Sequence, residues 1–412
     1  TITQVVTGLT HACALTSVGG VKCWGHNSAG ELGDGTTIDR SAPVDVSGLT
    51  SGVLSITAGG WRTCALTTAG GVKCWGLNTF GALGDGTTTN RSTPVDVVGL
   101  TGVASISAGN SHTCALTIGG GVKCWGNNAQ GQLGDGTNID SVTPTDVAAF
   151  SQGVARVAAG DYHTCVLTTT GSVRCWATDV AGVTAGVAAI DGGGVHDCLL
   201  TTTGGVKCWG SNGNGQLGDG TFTQRPTPVD VLGLTSGIRG LAAGFAHTCS
   251  VTTAGAVKCW GYNNTGQVGD GTQMDQLSPA SVSGLASGVA SVDAGGNHTC
   301  ALTAGGGVKC WGWNVSGQLG DGTNSVRLTP VNVLGLSQAA QTITFTPPAS
   351  LTIGVATPLS ATASSGLTVT FDTWTPGSCS VAGNVVTALA GEICGIRASQ
   401  AGGGGNAPAP QQ

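Results

Sequence analysis

The residues of this chain that could do chemistry come as a repeated set. Cysteines ten positions apart pair as Cys13 with Cys23, Cys64 with Cys74, Cys114 with Cys124, Cys165 with Cys175, Cys198 with Cys208, Cys249 with Cys259, and Cys300 with Cys310. Each pair has a His or Arg two residues before its first member, a Lys or Arg before its second, and a Trp after it. In six of the seven copies a glycine-rich run ending in Asp-Gly-Thr follows. The set could hold zinc, ring an axis with histidine-bound metal, bind calcium, or serve architecture alone. Zinc takes four ligands, at closer spacings such as C-x2-C. The ring of His11, His112, His163, His196, His247 and His298 is broken by Arg62. Arginine donates hydrogen bonds but cannot ligate a metal, so a structural donor role covers both residue types. The recurring Asp34, Asp85, Asp135, Asp219, Asp270 and Asp321 supply one carboxylate per copy. Calcium wants several converging oxygens, so turn-capping is the reading for these. No metal and no cofactor is expected.

The cysteines must then be positioned by a hairpin. Cys114 and Cys124 are symmetric about residue 119, which leaves Ile118-Gly119-Gly120 as a three-residue loop. Such loops want a left-handed last residue, and that residue is Gly in every copy: Gly19, Gly70, Gly120, Gly171, Gly204, Gly255 and Gly306. The cysteines fall opposite each other in a non-hydrogen-bonded pair, where α-carbons approach to about 4.5 Å, close enough for a disulfide. Each pair is therefore expected to be a cross-strand staple. Val122 and Cys124 point one way and Lys123 and Trp125 the other, so the Trp is expected to pack between copies with the Lys stem over apolar surface.

The first cysteines stand 51, 50, 51, 33, 51 and 51 residues apart, the spacing of an array of supersecondary units. Short β-type runs such as Val103 to Ser107, Thr113 to Thr117 and Val122 to Trp125 lie between glycine-rich turns, and no helical period is present. Four strands fit each repeat. The chain has 412 residues, 73 of them Gly, is only 9% charged and carries a net charge of −6, which leaves no electrostatic footprint for nucleic acid. Its 16 cysteines fit an oxidising, extracellular or bacterial cell-surface setting. No run approaches the roughly 18 apolar residues of a membrane span. The N-terminus lacks the basic and apolar regions of a secretion signal, so a signal, if one existed, is expected to have been removed already.

The run "CWGNNAQGQLGDGT", preceded by "HTCALT", resembles the repeat of the regulator of chromosome condensation family, and the likeness recurs over residues 1 to 336. The resemblance implies an all-β, seven-bladed β-propeller. That family includes a nuclear exchange factor, a plant light receptor and a secreted bacterial inhibitor, so the fold alone names no function. The hairpin cysteines depart from the general pattern and point to a secreted branch. Repeat four keeps its hairpin and a later strand, Thr178-Asp179-Val180, but lacks the segment that carries the Asn and Gly-Asp-Gly-Thr elsewhere, which should leave a notch. Within residues 1 to 6, Ile2 to Val5 aligns with Val53 to Ile56, the strand that elsewhere follows a "PVDV" run. Residues 1 to 6 are expected to close the ring beside residues 329 to 334.

Residues 337 to 412 carry no repeat. Their alternating runs and an eighth pair, Cys379 with Cys394, resemble an immunoglobulin-like β-sandwich short of its last strand. Function should lie where repeats differ. The aromatics at non-recurring loop positions, Trp61, Phe80, Tyr162, Phe245, Tyr262 and Trp313, are candidate interface anchors. No nucleophile, base or carboxylate pair stands out from the repeat, so no enzyme is expected. The favoured reading is a secreted protein-interaction scaffold whose partners are other copies of itself, with the tail module mediating assembly into a filament or surface layer. A secreted enzyme inhibitor or a carbohydrate-binding propeller is the alternative.

Overall fold

The computed structural model describes residues 1–177, 183–336, 343–363 and 368–399. It is built from strands, and its contacts divide it into two compact bodies. One comprises Ile2–Thr303 with Val308–Gly335; the other comprises Leu336–Gln412 with Thr1 and Ala304–Gly307. Thr178-Asp179-Val180 and residues 400–412 lie outside the described residues.

In the larger body, the first repeat forms an antiparallel sheet in the order β1 (Ile2–Thr7), β2 (His11–Thr16), β3 (Val21–Gly25), β4 (Arg40–Asp45). Five other repeats form the same four-stranded sheet, and repeat four contributes a three-stranded one, Val154–Ala159, Thr164–Thr168 and Val173–Trp176. The hairpins have the expected register: Cys13 faces Cys23, and Cys114 faces Cys124. The α-carbons stand 4.1 Å apart in the Cys13–Cys23 disulfide, and among the described residues no cysteine is free. Gly120 sits at φ 80° and donates its N–H to Thr117 O at 2.9 Å, which closes the three-residue loop.

Strand β2 is buried on both faces rather than alternating, because a neighbouring sheet covers each side. The sides differ in size. Cys13 and Leu15 pack with Leu32, Val46 and Leu49 of their own repeat against Ala65 and Trp75 of the next, so large side chains meet small ones across each seam. The first strands of successive repeats lie against one another, and β1 closes the series against Val289–Ala294 and His298–Thr303. The closing contact is therefore not with residues 329 to 334. The final strand, Arg327–Asn332, is the outermost of its sheet, whereas β1 is an innermost strand and meets innermost partners. Around this axis backbones touch: a Cβ on Gly109 would lie 2.1 Å from Gly160 O, so only glycine fits.

The smaller body holds three small antiparallel sheets among the described residues. Ile343–Phe345 pairs with Ala361–Ala363, Val385–Ala388 lies between Ala356–Pro358 and Cys379–Ala382, and Thr370–Thr373 pairs with Ile396–Ser399. Cys379 and Cys394 are bridged at 5.5 Å between α-carbons.

Val5 and Val6 of β1 are buried, and β1 has neighbours on both sides. Deleting residues 1–6 is expected to lower the melting temperature sharply and make unfolding less cooperative in scanning calorimetry; an unchanged transition would contradict the closure.

Candidate functional site

Five of the seven repeats are joined to the next by a relay of polar side chains; at the seam from the last repeat to the first, Ala12 stands in the threonine's place and, among the described residues, His298 meets no hydroxyl. His11 Nε2 meets Thr63 Oγ1 of the following repeat at 2.8 Å, and Thr63 Oγ1 donates to Glu31 O at 3.1 Å. The same carbonyl accepts Trp75 Nε1 at 2.8 Å. Ala82 O, Gln132 O, Gln216 O and Gln267 O serve the next repeat's threonine and tryptophan in the same way. Arg62 takes the histidine's place and donates to Thr113 Oγ1 at 3.0 Å and to the backbone carbonyls of Gly109, Asn110 and His112. The expected donor role thus holds for both residue types. Burial first, with neighbouring positive groups, drives the His11, His112 and His247 pKa down to about 3, so these rings are neutral donors.

The carbonyl is placed by the glycine-rich segment. Asn27, fully buried, accepts Leu32 N at 2.9 Å and donates to Thr36 O and Ile38 O. Asp34 Oδ1 caps Thr36 N at 2.9 Å, as the capping reading expected, and its other oxygen also holds Arg40 at 2.9 Å. Against burial, which raises its pKa, the Thr36 hydroxyl and N–H and the Arg40 guanidinium hold the Asp34 carboxyl below its usual value. Four of the repeated lysines are also paired with an aspartate of the outer strand, as Lys22 Nζ is with Asp45 at 2.7 Å.

The relay fails where the segment is missing. Trp209, 3% exposed, has no acceptor for its indole N–H among the described residues, because repeat four lacks the segment that supplies the carbonyl elsewhere. Asp197 stands there in place of threonine and pairs with His163 Nε2 at 2.6 Å. Burial lowers the His163 pKa, but Asp197 and then Asp161 outweigh it, and the net shift is upward. His163, Cys165 and Asp197 are the one group of metal-type ligands clustered among the described residues, yet Cys165 is committed to its bridge with Cys175. The trio is an ion pair beside a disulfide, not a metal site.

Both the loops between first and second strands and the exits of third strands lie at one end of the sheets. Their backbones bond directly, as in Leu77 N to Trp61 O at 2.8 Å. All six candidate aromatics sit on this face. Trp61 and Trp313 line one apolar groove of about 470 Å³, together with Leu77 and Val315. Inside it lies a hydrogen-bonded pair unique to repeat one, His26 Nδ1 with Glu31 Oε1 at 2.9 Å, with the Glu31 pKa raised chiefly by burial. Phe245 instead borders the mouth of the axial opening, near Asp161. Phe80 and Tyr162 are exposed, Tyr262 is half-buried, and none of the three lines either site. Sequence reasoning missed His26 and Glu31, although lining up the repeats shows that His26 has no symmetric copy.

Models of the regulator of chromosome condensation (RCC1) repeat match residues 19–66, 69–116, 120–167, 203–251 and 254–302, and a second model of the same repeat matches from residue 2 to residue 318 in six pieces. The chain is 33% identical over 334 residues to the ultraviolet-B receptor UVR8 of Arabidopsis thaliana, covering 79% of this chain and 68% of that receptor. It is 30% identical over 186 residues to the human probable E3 ubiquitin-protein ligase HERC4, covering 44% of this chain but only 14% of the ligase. Yeast RCC1 (Prp20), solved bound to Kap60, superposes with a TM-score of 0.51 at 22% identity, covering 81% of this chain and 74% of that one. Human WBSCR16 superposes with a TM-score of 0.50 at 22% identity, covering 83% and 84%.

The His163–Asp197 pair gives one seam its own pH dependence. A histidine whose pKa is raised on folding contributes stability that is fully present below about pH 6.5 and is lost as pH rises through the folded value. The parent's melting-temperature advantage over Asp197→Thr is expected to be largest below about pH 6.5 and to shrink toward alkaline pH. An advantage that grows with pH would contradict the pair.

Proposed function

Because the chain belongs to the regulator of chromosome condensation (RCC1) repeat family, we propose that it is a non-catalytic interaction scaffold, a seven-bladed propeller that binds protein, foremost other copies of itself. The observation that carries this reading is the convergence of Trp61 and Trp313 in one groove on the loop face. Exposed tryptophans in a pocket are the commonest anchors of protein interfaces. Trp61 is 38% exposed, although the repeat-wide tryptophans such as Trp75 are fully buried.

Three features support the rest of the reading. The hydroxyl–imidazole pairs that resemble a nucleophile with its base, such as Thr63 with His11, are sealed in the seams with no exposed surface, which argues against catalysis. Eight disulfides with no free cysteine among the described residues favour an extracellular or cell-surface setting, since a cytosolic thiol pool would reduce them. The small sheets and the Cys379–Cys394 bridge favour an immunoglobulin-like tail that joins subunits into a filament or surface layer. The groove's volume also suits a small ligand, which keeps carbohydrate binding or enzyme inhibition as the second reading.

Sedimentation velocity of the intact chain is expected to show concentration-dependent assembly. Removing residues 338–412 should leave a folded propeller that stays monomeric. Trp61→Ala with Trp313→Ala should weaken protein binding by at least about 2 kcal/mol, roughly thirtyfold. An intact chain that is monomeric at high concentration, or a truncated one that still assembles, would overturn the assembly role.

A further inference from the structure

The innermost strands present their fifth residue to the axis, and this position varies between repeats: Val6, Thr57, Ser107, Ala158, Asp191, Ala242 and Asp293. Where it is polar, it accepts the backbone N–H of the next repeat's strand. Ser107 Oγ accepts Ala159 N at 3.0 Å and Thr57 Oγ1 accepts Ala108 N at 3.3 Å. Asp191 Oδ2 accepts Ala243 N at 2.8 Å, and Asp293 Oδ2 accepts Thr7 N at 2.6 Å and the Thr7 hydroxyl at 2.8 Å. A hydroxyl therefore suffices for the structural role. The negative charge and the second oxygen of both aspartates are left over.

Neither carboxylate has an ion-pair partner among the described residues. Burial pushes the Asp191 pKa up to about 6; burial, and then repulsion from Asp191, pushes that of Asp293 up to about 7. The two line one polar cavity of about 340 Å³ with Gln4, Ser107, Arg156 and Arg239. Gln4 is spent on the Ile56 backbone, which it meets at 2.8 Å and 3.0 Å, and Arg239 on the carbonyls of Thr252 and Val289. Arg156 is exposed, and among the described residues its guanidinium bonds to nothing. Its equivalents, Ser55, Ser105, Ala189, Gly240 and Ser291, are uncharged.

We propose that the axial cavity binds a small zwitterion, its ammonium group on Asp191 and Asp293 and its carboxylate on Arg156. The cavity lies within the size range of small-ligand sites, and its charge is divided between the half-buried aspartates and the exposed guanidinium. A metal ion fits less well. Among the described residues, the single cluster of three metal-type ligand atoms within 4.8 Å of one another lies elsewhere, at His163, Cys165 and Asp197. An ammonium needs only hydrogen-bond acceptors and negative charge, and two leftover carboxylate oxygens provide both.

The test is titration calorimetry of the full chain with glycine, 4-aminobutyrate and 6-aminohexanoate, which carry their two charges at increasing separation, against butylamine and butyrate as half-ligands. At least one amino acid is expected to bind saturably and at least tenfold more tightly than either half-ligand. Asp191→Asn with Asp293→Asn keeps an oxygen for each backbone N–H and should abolish that binding, and Arg156→Gln should weaken it tenfold or more. A carboxyl whose pKa is raised on folding destabilises the protein once ionised, so the double variant should melt at or above the parent at pH 8. Such a result would show that lost binding is not lost folding. No binding by any of the three, binding of butylamine alone as tight as that of the amino acids, or binding that survives the double variant would each overturn the proposal.

Discussion

One backbone carbonyl in each complete repeat holds the ring together. It lies just before a buried leucine or valine, at Glu31, Ala82, Gln132, Gln216, Gln267 and Gln318, and it receives the indole N–H of the following repeat's tryptophan. Leaving such donors unpaired inside a low-dielectric core costs about 1–3 kcal/mol each. The geometry of the glycine-rich segment, the asparagine that folds it and the aspartate that caps its turn all serve to deliver that carbonyl. The disulfide itself is part of the core: Cys13 and Cys23 pack with Ala65 of the next repeat, whose small side chain leaves room for the staple and the large side chains around it.

This economy is why we place function in the departures from the repeat. Most of the histidines, threonines, aspartates and tryptophans that recur bond to neighbouring groups, and the histidines are sealed in the seams away from solvent. Trp61, Trp313, His26, Glu31, Arg156, Asp191 and Asp293 break the repeat pattern, and they fall at the loop face and along the axis. Repeat four is the exception on the structural side. Its missing segment removes a carbonyl, and the same seam carries an aspartate where threonine would have had nothing to donate to.

The sequence makes local geometry legible and long-range pairing much less so. Cys114 and Cys124 could be placed opposite each other because hairpin symmetry is a local rule, and Gly120 was readable because only one loop residue needs a positive φ. The type of role played by His112 was readable from Arg62, but its partner Thr164 was not, since that contact spans a whole repeat. Ring closure was misassigned for the same reason: strand order within a sheet decides which strands face the axis, and alignment alone placed β1 beside the wrong one. Of six aromatics, only two converge in a groove, because exposure in a variable loop does not fix direction. Asp191 and Asp293 were overlooked because a lone carboxylate in an apolar strand stands out only when all seven strands are aligned by position.

The central claim is that the repeat-borne carbonyl holds every seam but one. Hydrogen–deuterium exchange of the indole N–H groups, followed residue by residue by NMR on the intact chain, tests it most directly. Trp24, Trp75, Trp125, Trp176, Trp260 and Trp311 each donate to the preceding repeat's carbonyl and are expected to exchange slowly. Trp209, also buried but without an acceptor among the described residues, is expected to exchange markedly faster. Protection of Trp209 equal to that of the other six would contradict the account.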